Sequence, residues 1–302
     1  MRPRDVIMPE LPEVETVVRI LKRRGLVGRR VQSCEVQWER TVGGSAGWFA
    51  RAVGGAIIRG VGRRGKYIVI PLRTAEQNTH SAGVSQFAVL LIHLRMSGHL
   101  YLCPSGQERS GFERVVLALD HDEELRFHDP RKFGRVLLLP AVPPPLGLLG
   151  IEPLGPRFSA TTFAERVLVR RRMVKPLLLD QSVVAGLGNI YVDEALWEAE
   201  LHPQRIAATL SRREAVSLAA AIQLVLRRGI ENSGTSLGEG RANFVLPSPA
   251  VDERSSGATA RNQEDLRVFR RTGRPCRRCT APIERLIVAQ RSTHLCPRCQ
   301  RM

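Results

Sequence analysis

Apolar residues Val14, Val17, Val18 and Leu21 recur at i, i+3, i+4 and i+7 behind a Pro-Glu-Leu-Pro-Glu segment. That spacing predicts an amphipathic helix, with Pro12 in its first turn, Glu13 and Glu15 near the positive end of its dipole, and Gly25 as its stop. From about residue 30 to 140 the period shortens. Ala56–Val61, Lys66–Leu72, Gln86–Leu94, Arg114–Leu119, Leu125–His128 and Arg135–Leu139 are short apolar or alternating runs divided by Gly, Asn, Ser and Asp. Short strands without intervening helices predict an antiparallel sandwich or barrel behind one leading helix.

The Pro-rich stretch 141–157 breaks both periods and reads as a linker. Helical spacing returns over 158–232, where Val192, Ala195, Leu196 and Ala199 share one face and Leu218, Ala221, Ile222 and Val225 another, with Gly186, Gly188 and Pro203 at the turns. Residues 233–265 are rich in Ser, Gly, Ala and Pro and read as a long mobile loop, and 266–302 form a basic module with ten arginines against one acid, Glu284.

The chain has 302 residues, of which 43% are apolar, enough for more than one core. Its 46 basic against 29 acidic residues leave a net charge of +17, which points to a polyanionic partner. Only Lys22, Lys66, Lys132 and Lys175 are lysine; the arginine excess reads as coding composition and sets these four apart. No apolar run reaches the roughly 18 residues of a membrane span, and Met1–Ile7 has no apolar signal segment, so a cytoplasmic, nucleoid-associated protein is expected.

Cys276, Cys279, Cys296 and Cys299 form two C-x2-C pairs, the arrangement of a closed four-thiolate site for one structural zinc ion; two disulfides are the alternative. Gly186-Leu187-Gly188-Asn189 precedes a helix start, which suits either a phosphate cradle or an ordinary turn capped by Asn189. Pro9 follows Met8, so removal of an initiator methionine there would expose a secondary amine able to form an iminium ion with an aldehyde-level carbon, with Glu10 beside it as acid or base.

Seven signatures occur in order: Pro9 to Thr16 (PELPEVET), Arg63 to Tyr67 (RRGKY), His93 to Gly98 (HLRMSG), Asp129 to Gly134 (DPRKFG), Lys175 to Asp180 (KPLLLD), Gly186 to Tyr191 (GLGNIY) and the terminal cysteines. Across 9–232 and 263–302 the chain resembles the bacterial formamidopyrimidine-DNA glycosylases, which repair oxidised purines. The resemblance implies an α+β multidomain fold: an N-terminal catalytic β-sandwich with a leading helix (9–140), a helix-two-turn-helix DNA-binding domain (158–232) and a C-terminal zinc-finger β-hairpin (266–302). It implies a monomer acting on damaged double-stranded DNA, with the target nucleotide flipped out and no catalytic cofactor.

By the same resemblance, Pro9 displaces the base at C1′ and holds the sugar as a Schiff base, Glu10 assists ring opening by proton transfer, and Lys66 contacts phosphate and assists elimination. Met96, Arg131 and Phe133 fill the gap left by the flipped base, with Arg131 on the orphan cytosine. Asn189 and Arg291 grip the backbone near the lesion, Arg291 counting with the catalytic group, and Lys175 is a further DNA contact. Strand cleavage by β- and then δ-elimination makes the enzyme an abasic-site lyase as well.

Three departures bear on this. Residues 1–8 form an extension that would leave the Pro9 nitrogen an unreactive amide, so a misassigned start and a native chain beginning at Pro9 are expected. Gly111-Phe112-Glu113 lacks a histidine that relatives place there on DNA. The segment 233–265, which covers the flipped purine in relatives, runs through Arg241-Ala242-Asn243-Phe244 into low complexity. Two alternatives therefore stand beside the purine reading: an endonuclease VIII-like enzyme for oxidised pyrimidines, and a catalytically silent DNA-binding zinc protein.

Overall fold

The computed structural model describes residues 8–75, 86–140, 144–232 and 265–302. The extension before Met8 and the segment expected to cover the lesion lie outside the described residues, apart from Met8 and Asp265.

Helix α1 (Leu11–Arg23) buries Val14, Val17, Val18 and Leu21, the face its spacing predicts. Two antiparallel sheets follow. One has the order β1 (Val31–Val36), β7 (Glu113–Leu119), β8 (Glu123–His128), β6 (His99–Pro104); the other has β2 (Ile57–Ile58), β4 (Tyr67–Arg73), β5 (Phe87–His93), β9 (Arg135–Pro140), with β3 (Gly62–Arg64) on β4. Alternation puts Ile68, Ile70 and Leu72 of β4 into the same core as Leu117, Leu125 and Phe127 of the facing sheet and the apolar stripe of α1.

Two features differ from the pattern reading. Short helices α2 (Glu39–Val42) and α3 (Ala46–Val53) interrupt the strand series. Gly43, at φ +71, closes the first, and the Ser45 side chain accepts from Trp48 N–H to cap the second. Strands β1, β3 and β6 also lie outside the predicted runs; in β1 Val31 is the one fully buried residue, and an edge strand with one apolar anchor carries no clear alternation.

After α4 (Pro144–Gly147) the helical part comprises α5 (Ala160–Leu168), α6 (Val174–Leu179), α7 (Asn189–Glu198) and α8 (Arg212–Glu231). Their core includes Phe163, Leu177, Ile190, Leu196, Leu218 and Ile222, and also Leu11 from the start of α1. A Ser211–Glu214 capping box starts α8. The hairpin β10 (Glu284–Val288) and β11 (Arg291–Leu295) closes the fold. The segment that leads into the cysteine module is anchored by the buried Glu194 carboxylate of α7, which accepts from the N–H groups of Arg267, Val268 and Phe269. Among the described residues no helix is long and apolar enough to cross a membrane.

Candidate active site and nucleic-acid interface

Glu10 stands immediately before α1 and is 3% exposed. Its carboxylate accepts from the N–H groups of Gly188 (2.7 Å), Ile190 (2.9 Å) and Tyr191 (3.3 Å), so it occupies the N-terminus of α7 across the domain boundary. The glycines of the GLGN turn are shaped to admit it. A Cβ on Gly188 would lie 2.4 Å from Glu10 Cδ, and one on Gly186 2.7 Å from Leu11 Cδ1. In this structure the backbone N–H groups at the helix end hold an internal carboxylate, so the turn is a docking seat for α1. Burial pushes the Glu10 carboxyl up to about 7, opposed first by the nearby Lys66 charge, reinforced by Glu13 and opposed again by the α7 N–H groups.

Glu13 is the unanticipated member of this group. It is 2% exposed, accepts the Glu10 N–H at 2.9 Å and accepts the Tyr191 hydroxyl at 3.0 Å. Pro9, half-buried, directly precedes this knot.

Lys66 follows the β3–β4 turn at Gly65, whose φ of +56 disfavours a side chain and where a Cβ would press on Leu149 Cδ1 at 3.3 Å. Glu152, in the stretch read as a linker, holds the turn by accepting from Arg63 (2.5 Å), Arg64 (2.9 Å) and the Gly65 N–H (2.9 Å). Burial lowers the pKa of the Lys66 ammonium; Glu10 and Glu13 raise it, and Arg291 lowers it further. Arg291, from the hairpin, thus acts electrostatically on the same lysine. His93, edge-on to Tyr67 at 4.7 Å, is kept neutral by burial, with its pKa pushed down to about 3.

Met96, Arg131 and Phe133 lie on two loops joined by Asp129, which is wholly buried. Its carboxylate accepts from Ser97 Oγ (2.5 Å), Arg131 N–H (3.3 Å) and Gly134 N–H (2.7 Å). Both loops press on Phe127: a Cβ on Gly98 or Gly134 would lie 3.0 or 2.3 Å from its Cζ. Phe133 stays 46% exposed with the Arg131 guanidinium 5.2 Å from its ring centre, so ring and guanidinium project together from the loop base that Asp129 ties. In the segment that lacks the histidine, Phe112 is exposed and His128 of β8 sits edge-on to it at 5.8 Å.

Asn189, first residue of α7, donates from Nδ2 to the Ser292 carbonyl at 2.8 Å, one residue from the exposed Arg291. Lys175 is placed differently from the sequence expectation. Its side chain is 0% exposed and donates to Asp193 (2.6 Å) and to the Ser292 carbonyl (2.9 Å), so its charge is neutralised inside and presents nothing to a phosphate.

The four terminal cysteine sulfurs lie within 4.8 Å of one another. A tetrahedral site with Zn–S bonds of about 2.3 Å separates its sulfurs by about 3.8 Å, and the Cys279–Cys296 and Cys276–Cys299 separations of 3.3 and 4.0 Å bracket that value. Arg278 N–H and Trp197 Nε1 each donate to Cys276 Sγ at 3.4 Å, as thiolate ligands require. The residues fit one structural zinc, with no open position for a reactive water.

Two sheets behind a leading helix, a helical domain and a four-thiolate hairpin, with a buried carboxylate and a lysine where they meet, define a zinc-bearing multidomain protein with a shared interdomain site. A family profile for the formamidopyrimidine-DNA glycosylase N-terminal domain matches residues 8–136, one for the H2TH domain of the same enzymes 149–239, and a zinc finger found in FPG and IleRS 273–301. The formamidopyrimidine-DNA glycosylase of Protochlamydia amoebophila is 42% identical over 295 residues, covering 97% of this chain and 100% of that one. That of Herpetosiphon aurantiacus is 45% identical over 297 residues, with the same coverage. A solved complex of Lactococcus lactis FPG with a FAPY-dG containing DNA matches with a TM-score of 0.81 at 33% identity, over 97% of this chain and 100% of that one. The chain belongs to the formamidopyrimidine-DNA glycosylase family.

Proposed function

We propose that this protein is a base-excision DNA glycosylase and abasic-site lyase that removes oxidised purines, 8-oxoguanine and formamidopyrimidines, from duplex DNA as a nucleoid-associated monomer. The observation that carries this is the juxtaposition of Pro9 with a buried carboxyl that titrates near neutrality and a lysine whose pKa is lowered by burial. At pH 7 a carboxyl with a pKa of about 7 both gives and takes a proton, as ring opening followed by elimination demands.

In this reading the Pro9 nitrogen attacks C1′ of the flipped nucleotide, and the N-glycosidic electrons leave with the base, which takes up a proton. Glu10 protonates O4′ as the sugar ring opens and the C1′–N bond becomes an iminium. Loss of a C2′ proton then expels the 3′ phosphate, and a further elimination expels the 5′ phosphate. Lys66 contacts phosphate and assists these steps. Arg291 and Asn189 hold the backbone, while Met96, Phe133 and Arg131 fill the space the base leaves. The chemistry needs Pro9 to carry a free secondary amine, since an internal proline nitrogen is an amide.

Borohydride trapping tests this. Protein beginning at Pro9 is expected to give a covalent adduct on an 8-oxoguanine duplex and a weaker one on a thymine glycol duplex; absence of any adduct would leave DNA binding alone. An active protein whose intact mass retains Met1 to Met8 would overturn the proline mechanism.

A further inference from the structure

Three ionisable side chains are withdrawn from solvent where α6, α7 and the hairpin meet: Lys175 and Asp193 are 0% exposed and His294 is 2% exposed. One Asp193 oxygen accepts from Lys175 Nζ at 2.6 Å. The other accepts the His294 backbone N–H at 2.8 Å and faces its Nδ1 at 3.3 Å. The Ser292 carbonyl receives both Lys175 Nζ and Asn189 Nδ2, at 2.9 and 2.8 Å.

The spacing explains the arrangement. Asn189 and Asp193 are four residues apart on α7, about 6 Å along its axis and on one face. Ser292 and His294 are two residues apart on β11, about 6.8 Å and on one side of the strand. Two pairs with nearly equal rise make a two-point register between helix and strand. A one-residue slip would shift Arg291 by about 3.4 Å and turn it to the opposite face. Lys175 closes off that slip, because its ammonium and the Asp193 carboxylate would then be buried without their partners.

We infer that Asp193 and His294 are positioning residues for the phosphate grip: they fix β11 on α7, and so set Arg291 and Asn189 at one separation. This rests on the reading of those two residues as backbone contacts. It also gives Lys175 its role, as the counter-charge that makes the register unique.

The test uses zinc-loaded protein beginning at Pro9 and a duplex carrying a tetrahydrofuran abasic analogue. Asp193→Asn is expected to lower the slope of log K against log salt by about 0.9 for each phosphate no longer gripped. It should raise KM for 8-oxoguanine excision about tenfold, the effect of removing one charge-assisted hydrogen bond, while the single-turnover rate at saturating DNA changes little. A merely structural defect would lower the active fraction without moving slope or KM. If Asp193→Asn does not accumulate with zinc bound, the Lys175→Met, Asp193→Asn double variant, which buries no lone charge, supplies the same readout. Arg291→Ala separates the two layers: a wild-type slope there removes the grip itself, and with it the inference. A lowered slope in Arg291→Ala beside wild-type slope and KM in Asp193→Asn overturns the positioning role alone.

Discussion

Gly188→Ala isolates the seat of the proposed proton donor. Gly188 has φ −137° and ψ −162°, extended backbone that alanine adopts freely, so a methyl group is opposed only by what it meets. It meets Glu10, with Cδ at 2.4 Å, Oε1 at 2.5 Å and Cγ at 2.7 Å. Overpacking of this kind costs about 1–3 kcal/mol, and drawing the carboxylate off its N–H donors adds about 1.5 kcal/mol or more, so a total near 3 kcal/mol is expected. Trapping on an 8-oxoguanine duplex should fall by about 100-fold, the contribution of one positioned acid. In a Glu10→Ala background the offending atoms are gone, and Gly188→Ala should cost no more than about 0.5 kcal/mol. Urea unfolding of the four proteins gives this coupling directly. Equal costs of Gly188→Ala in both backgrounds, or wild-type trapping by the single variant, would refute the argument.

Three further outcomes follow from the same geometry. The Glu10 carboxyl is raised from 4.5 to about 7, so between those values the folded chain holds a proton that the unfolded chain releases; stability should fall by up to about 3 kcal/mol as pH rises through that window, and Glu10→Gln should flatten the profile of urea midpoint against pH. Ala289 and Gln290, at the hairpin turn, have φ of +46° and +62°, which L residues adopt at a cost, so Gln290→Gly should stabilise the zinc-loaded protein by about 1 kcal/mol in urea; a loss of stability would contradict the turn geometry. Chelation, or Cys276→Ser, should release one zinc per chain and abolish DNA retention in step with it, while the N-terminal sheets keep their circular dichroism; metal-free protein with unchanged DNA affinity would count against the hairpin's part in binding.

What the sequence makes legible tracks how local each interaction is. The α1 stripe and the four cysteines follow from spacing alone, because a helix face and a tetrahedral thiolate site each impose a short-range pattern. Pro9 and Glu10 stand out from the Met8-Pro9-Glu10 order and Lys66 from the scarcity of lysine, but only the family signatures give them roles. The tie of Glu13 to Tyr191, and the roles of Glu152, Asp193 and His294, are invisible, since these partners lie far along the chain: 178 residues separate Glu13 from the Tyr191 hydroxyl, 87 separate Glu152 from Gly65, and 101 separate Asp193 from His294. Lys175 misleads for the same reason. The resemblance makes it a DNA contact, and nothing near KPLLLD announces the buried carboxylate of Asp193 that it pairs with. The GLGN turn signals a helix N-terminus ready for an anion, which is correct, yet nothing local reveals that the anion in this structure is Glu10.

These long-range ties explain why the site belongs to neither domain. Glu10 and Lys66 are carried by the N-terminal part, but the first is held by α7 and the second sits on a turn held by Glu152 and pressed against Leu149 and Ala185. Leu11 packs in the second core while Val14, three residues on, packs in the first, so α1 crosses the boundary within one turn. Separating the two parts would expose the Glu10 carboxyl and remove the burial that lifts its pKa towards 7, returning it to ordinary acidity and leaving it ionised at neutral pH. The proton that the proposed ring opening needs is thus present at pH 7 only while the domains are docked. Docking and the raised pKa of Glu10 have the same cause, burial between the two cores, which gives a physical reason for placing the proposed acid at their junction.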